Sequence, residues 1–240
     1  MIKKALVITA SLLLGLITLV SAGCNYIDGI DGNGKVVKET RKVEAFDGIK
    51  IGGAFKVFIS QGSTESLVVE ADENLMSIIE TEVRGGKLVV NTTENIRRSK
   101  KLDLYITVKT LESIDISGAV ELKSEGKLEL GNLSFEGSGA SEIELNFTAD
   151  HVDGNFSGAS DIDLSGSANS CRFDLSGASE LDAEDFIVKE FDLELSGAGD
   201  AEINVTDKLK ARASGAANIR YLGDPKVDSE VSGAGSVKKR

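Results

Sequence analysis

The sequence predicts an all-β chain, a parallel β-helix with about 18–21 residues per coil. Three observations carry that expectation. Ser-Gly-Ala recurs at residues 117, 138, 157, 176, 196, 214 and 232, with successive spacings of 21, 19, 19, 20, 18 and 18. Apolar residues alternate with charges and hydroxyls on both sides of the tripeptide, as Phe173-Asp174-Leu175 and Glu180-Leu181-Asp182 show, and a period of two belongs to strands. With 26 Gly, one Pro and no Trp in 240 residues, the composition favours tight bends over long helices.

Taken from the amino end, residues 1–23 read as a signal peptide. Lys3 and Lys4 precede an apolar run from Ala5 to Val20, followed by Ser21, Ala22 and Gly23 and then Cys24. Sixteen residues make a helix of about 24 Å, short of the ~30 Å of a bilayer core. Cleavage is therefore expected over retention as an anchor. Ala22-Gly23-Cys24 resembles the bacterial lipobox, with Ser21 where that pattern has Leu, so Cys24 is the expected lipid attachment point and links the chain to a membrane. Asn25 after the cysteine, by the same resemblance, directs an outer-membrane destination, periplasmic or surface-exposed. Residues 24–42, with Gly29, Gly32 and Gly34, read as a flexible tether.

Residues 43–240 read as the β-helix domain, of which 43–112 form wider initial coils and a cap. Lys56 to Ser60, Leu67 to Glu70, Lys87 to Asn91 and Leu102 to Val108 are β-rich runs between turn residues. Asn74 to Ile79 suggests one helical turn, and Gly52-Gly53-Ala54 a degenerate first tripeptide. Over 113–240 each repeat reads as strand, bend and strand. The residue five after the serine is Leu122, Ile143, Ile162, Leu181, Ala201, Ile219 or Val237, apolar every time. Helical solenoids need longer repeats and a 3.6-residue period, and the leucine-rich frame is absent. Stacked coils spaced about 4.8 Å apart remain.

Several segments resemble a known family. Phe46-Asp47-Gly48-Ile49-Lys50-Ile51, Phe55 to Gly62, Leu111 to Ala119 and the Ser-Gly-Ala ladder are similar to the "putative auto-transporter adhesin head GIN domain" family, over roughly residues 44 to 223. The resemblance implies that this is a single-stranded right-handed parallel β-helix, with frequent occurrence on bacterial envelope lipoproteins, no established enzymatic activity and no catalytic residues to carry over.

Charge narrows the partners. The whole chain carries a net charge of −12, and loss of residues 1–23 leaves 25 basic against 39 acidic residues, or −14. That balance disfavours nucleic acid and anionic headgroups. His151 stands alone as a histidine and reads as an exposed polar residue; no Gly-x-Ser-x-Gly elbow, zinc ligand set or phosphate loop occurs. Cys171, without a partner once Cys24 is lipidated, reads as a small buried hydrophobe.

An acidic column four residues after each repeat serine comes closest to a site: Glu121, Glu142, Asp161, Glu180 and Asp200, then Asn218 and Ser236. At strand spacing, neighbouring carboxylates repel by roughly 1 kcal/mol even in water. Either calcium or a salt-screened solvated face offsets that repulsion, and the second needs no ligand. No cofactor is expected otherwise. The sequence thus reads as a non-catalytic cell-envelope lipoprotein whose β-helix presents a binding or adhesion surface to a glycan or protein. One alternative is a periplasmic structural or envelope-stress protein that self-associates through its last coil, where Lys238-Lys239-Arg240 guards the edge or docks on an acidic neighbour. A more distant one is a polysaccharide-cleaving enzyme using Asp161 and Glu180.

Overall fold

A computed structural model of the chain describes residues 28–240. The segment 1–23 expected to be a signal peptide, and Cys24, lie outside the described residues. Sixteen strands follow one another: β1 Ile30–Asp31, β2 Val36–Arg41, β3 Gly48–Gly53, β4 Lys56–Gln61, β5 Ser66–Asp72, β6 Ile79–Arg84, β7 Lys87–Thr92 and β8 Ile96–Arg98. Then come β9 Leu102–Val108, β10 Ser113–Ser124, β11 Leu128–Glu129, β12 Asn132–Gly197, β13 Asp200–Gly215, β14 Asn218–Leu222, β15 Lys226–Gly233 and β16 Ser236–Lys239. The described chain is all-β, with a sheet that is largely parallel. Among the described residues no helix is long and apolar enough to cross a membrane.

The tripeptides line up. Ser117, Gly118 and Ala119 of β10 pair in parallel with Ser138, Gly139 and Ala140 of β12, and Ser196-Gly197 with Ser214-Gly215, which in turn pairs with Ser232-Gly233. On the other side Gly52-Gly53 pairs with Ser117-Gly118, as expected of a degenerate first copy. β12 is one run of paired backbone 66 residues long that carries the serines 138, 157, 176 and 196.

The physics of the corner explains its composition. Gly158, at φ 111°, holds a conformation that side chains avoid, and a Cβ there would collide with the carbonyl of Gly139 in the preceding repeat. That carbonyl position is in use, since the equivalent Gly177 oxygen accepts the Ala198 N–H at 2.9 Å. The repeat serine ties one repeat to the preceding one, as Ser176 Oγ does by donating to the Phe156 carbonyl at 3.2 Å.

Inward side chains form files. Gly137 and Gly154 interrupt them, at positions where bulky residues stand in most other repeats. Neither is a void: a Cβ on Gly137 would lie closer than 3.0 Å to the Phe156 ring, and one on Gly154 equally close to Phe173. The phenylalanines run diagonally through the core, with edge-to-face ring centroids at 4.8 Å for Phe135 and Phe156, 6.3 Å for Phe156 and Phe173, and 5.6 Å for Phe173 and Phe191. Each fully buried ring contributes about 1.5–3 kcal/mol by leaving water, and each edge-to-face pair adds about 0.5–1.5 kcal/mol. Cys171 is buried in the same core, and burial pushes its thiol pKa up, as suits an inert apolar filler.

The amino-terminal part departs from the expectation of a tether ending at residue 42. β2 pairs antiparallel along β5, from Val36 opposite Asp72 to Arg41 opposite Leu67. The run Val36-Val37-Lys38-Glu39-Thr40-Arg41 has a strand-forming start, and the Arg41 guanidinium fastens it by donating to the Met76 carbonyl at 3.0 Å. Of the wider coils expected over 43–112, β3 and β4 do pair in parallel with β10, whereas β5–β9 and β6–β7 are antiparallel. The helical turn expected at Asn74 to Ile79 is a short 3-10 turn one residue upstream, Glu73–Leu75, and Ile79 already opens β6.

Candidate functional site

The same pairing that aligns the corners aligns the acids. Glu121 stands opposite Glu142 in the register, and Glu180 opposite Asp200, which continues to Asn218 and then Ser236. Glu142, Asp161, Glu180 and Asp200 line one side of a groove of about 520 Å3, and Ala140, Ala159, Ala178 and Ala198 line it as well. The groove exists because Ser-Gly-Ala places three consecutive residues outward before the chain turns in at Ser141, Ser160 and Ser179. Those three serines are buried, and neither Ser141 Oγ nor Ser160 Oγ has a hydrogen-bond partner among the described residues.

Both ends of the acidic column are compensated. Opposite Glu121 in β4 lies Lys56, whose Nζ sits 2.6 Å from the carboxylate. That hydrogen bond, more than the assistance of Lys123, holds the Glu121 carboxyl below its usual pKa. Lys123 reaches Glu121 at 3.2 Å, Glu142 at 3.5 Å and Glu144 at 3.1 Å, and its own pKa is pushed up, chiefly by the bonds to Glu144 and Glu121. At the far end Asn218 Nδ2 donates to Asp200 at 3.1 Å and Ser236 Oγ to Asn218 at 3.0 Å.

A second file runs alongside, two residues further on: Lys123, Glu144, Asp163, Asp182, Glu202, Arg220 and Lys238. Arg220 and Arg240 both pair with Glu202, and Arg240 also reaches Glu184. Between the compensated ends, Asp161, Asp163, Glu180 and Asp182 make no ion pair with any described residue. Asp163 shows the consequence: partial burial, then the charges of Asp182, Glu144, Asp185 and Asp161, raise its pKa.

No group of three or more His, Cys, Asp or Glu side chains among the described residues is placed to hold a metal ion. The acids project side by side from successive repeats, whereas calcium needs six to eight oxygens converging on one point. His151 is exposed on β12 with Nδ1 2.9 Å from Ser170 Oγ. The compensating cations were not visible in the sequence, because Lys56 and Glu121 are 65 residues apart.

One comparison decides the family, by matching residues 45–225 to "Putative auto-transporter adhesin, head GIN domain". The chain belongs to that family. Solved structures share the fold of this head GIN domain. A crystal structure described as a putative adhesin from Bacteroides fragilis has TM-score 0.82 at 23% identity, covering 88% of this chain and 100% of the other. A putative adhesin from Parabacteroides merdae gives 0.70 at 24% identity, covering 89% and 99%. A structure described as a putative lipid binding protein from Parabacteroides distasonis gives 0.72 at 21%, covering 88% and 99%. No curated protein matches the chain. Membership in an adhesin-type family points to the cell envelope and away from catalysis.

Proposed function

We propose that this head GIN domain is a right-handed, single-stranded parallel β-helix on an outer-membrane lipoprotein, held by lipid on Cys24, and that it binds ligands without transforming them. The observation that carries the reading is the groove, whose lining alanines and acids recur in four successive repeats. A surface that repeats along its length suits an extended ligand, a glycan or a segment of protein, because each repeat offers the same contacts. The in-register parallel pairing of the tripeptides supports the β-helix.

Two measurements test the proposal. Fatty-acid labelling of cells is expected to mark the wild-type chain and not Cys24→Ala; label on both would remove the anchor. On a ligand array, a double variant Asp161→Asn, Glu180→Gln is expected to change the bound set, and an unchanged set would remove the groove from the function.

Self-association is a second reading, favoured by Val227 and Val231, which are 37% and 45% exposed on β15 although they continue inward files. Sedimentation across a concentration series tests it, and a concentration-independent monomer rejects it.

A further inference from the structure

A second concavity, of about 280 Å3, lies on the face that leads into each Ser-Gly-Ala and away from the acidic groove. Two outward files border it. The residues six before a repeat serine are His151, Ser170, Glu190 and Lys208, and those four before are Arg172, Asp192 and Lys210. The register confirms the neighbours, with Glu190 opposite Lys208 and Asp192 opposite Lys210.

The charges here are distributed unlike those of the rest of the ladder. Three cations face two carboxylates, leaving one positive charge in a chain whose net charge is −12. Lys210 is held by Asp192 at 3.5 Å. Arg172 and Lys208 are exposed and make no ion pair or side-chain hydrogen bond with any described residue. They stand two strand spacings and two residues along the strand apart, about 12 Å between backbones, on either side of Glu190 and Asp192. The Arg172 end also holds the paired Ser170 and His151. The concavity thus has a donor-rich cationic end, acceptors in the middle and a second cation beyond.

We propose that this concavity binds a sugar unit bearing one carboxylate, a uronate. The carboxylate sits on the planar guanidinium of Arg172 and the Ser170 hydroxyl, where charge-assisted bonds are strongest. Ring hydroxyls donate to Glu190 and Asp192, and Lys208 donates to a hydroxyl oxygen at the far end. The net charge of the walls selects a monoanion, while the two carboxylates select a polyol over a simple acid. This site shares no residue with the groove.

The test is isothermal titration of the full chain in detergent with sodium galacturonate, galactose and sodium acetate. Galacturonate is expected to bind with a Kd on the order of 1 mM. Galactose and acetate are expected to bind at least about tenfold more weakly, because each lacks one half of the recognition. Arg172→Ala is expected to weaken galacturonate about tenfold and Lys208→Ala by less, with unchanged thermal melts; Asp161→Asn, in the groove, leaves it unaltered. Absence of binding at about 10 mM galacturonate overturns the proposal. So does equal affinity for galactose or acetate, or galacturonate binding that neither Arg172→Ala nor Lys208→Ala weakens.

Discussion

Gly137 and Phe156 offer a test of the packing in which two damaging substitutions partly cancel. Gly137→Ala adds a Cβ closer than 3.0 Å to a ring that is itself enclosed, with Phe135 at 4.8 Å and Phe173 at 6.3 Å. The ring cannot withdraw, so overpacking is expected to cost about 1–3 kcal/mol. Phe156→Ala removes a ring that is fully buried. Its cost is expected towards the upper part of about 3–5 kcal/mol, because glycines at 137 and 154 have no side chains to move into the space. In the double variant the new methyl enters the vacated volume, so the pair is expected to be less destabilised than the sum by about 1–3 kcal/mol. Urea unfolding followed by circular dichroism on all four proteins measures the coupling. Additivity within about 0.5 kcal/mol would refute the contact.

Three further outcomes follow from other parts of the ladder. Gly158→Ala is expected to be worse than Gly126→Ala by at least about 2 kcal/mol: both glycines have positive φ, yet a Cβ at 126 meets nothing while one at 158 strikes the Gly139 carbonyl. Thermal melts compare them, and equal losses would show that strain alone matters. Ser160→Ala is expected to stabilise by about 1 kcal/mol, since the buried Oγ has no partner among the described residues; a loss of similar size would mean that the hydroxyl is bonded. For Asp163 the folded pKa is raised, so its ionisation opposes folding above that pKa and the penalty disappears as pH falls towards the unfolded value of about 3.9. Asp163→Asn should therefore raise the melting temperature at pH 7 and make no difference near pH 3, and a difference that persists in acid would contradict the cause given.

The ladder was legible in the sequence because every repeat solves one geometric problem the same way. A glycine at positive φ against the carbonyl of the preceding repeat is costly to replace, so Gly118, Gly139, Gly158 and Gly177 mark the corner in text as clearly as in space. The acidic side of the groove followed from the same register. Structure that depends on partners without such a mark was not legible. The stretch 24–42 has the look of a tether because its glycines are visible, whereas the edge of β5 that recruits Val36–Arg41 is not. Lys56 and Lys123 compensate Glu121 from two directions, and only the fold brings them together. Gly137 and Gly154 break the apolar pattern because their volume is supplied by Phe156 and Phe173 from neighbouring repeats.

That last exchange of volume also bears on how the chain finds its own order. Seven near-identical tripeptides invite a slip of one whole rung, which would preserve every corner. The phenylalanines forbid it, since a slipped copy would set ring against ring at one level and leave a gap at another. The glycines that look like flaws therefore act as a serial number, giving each rung a single acceptable neighbour above and below.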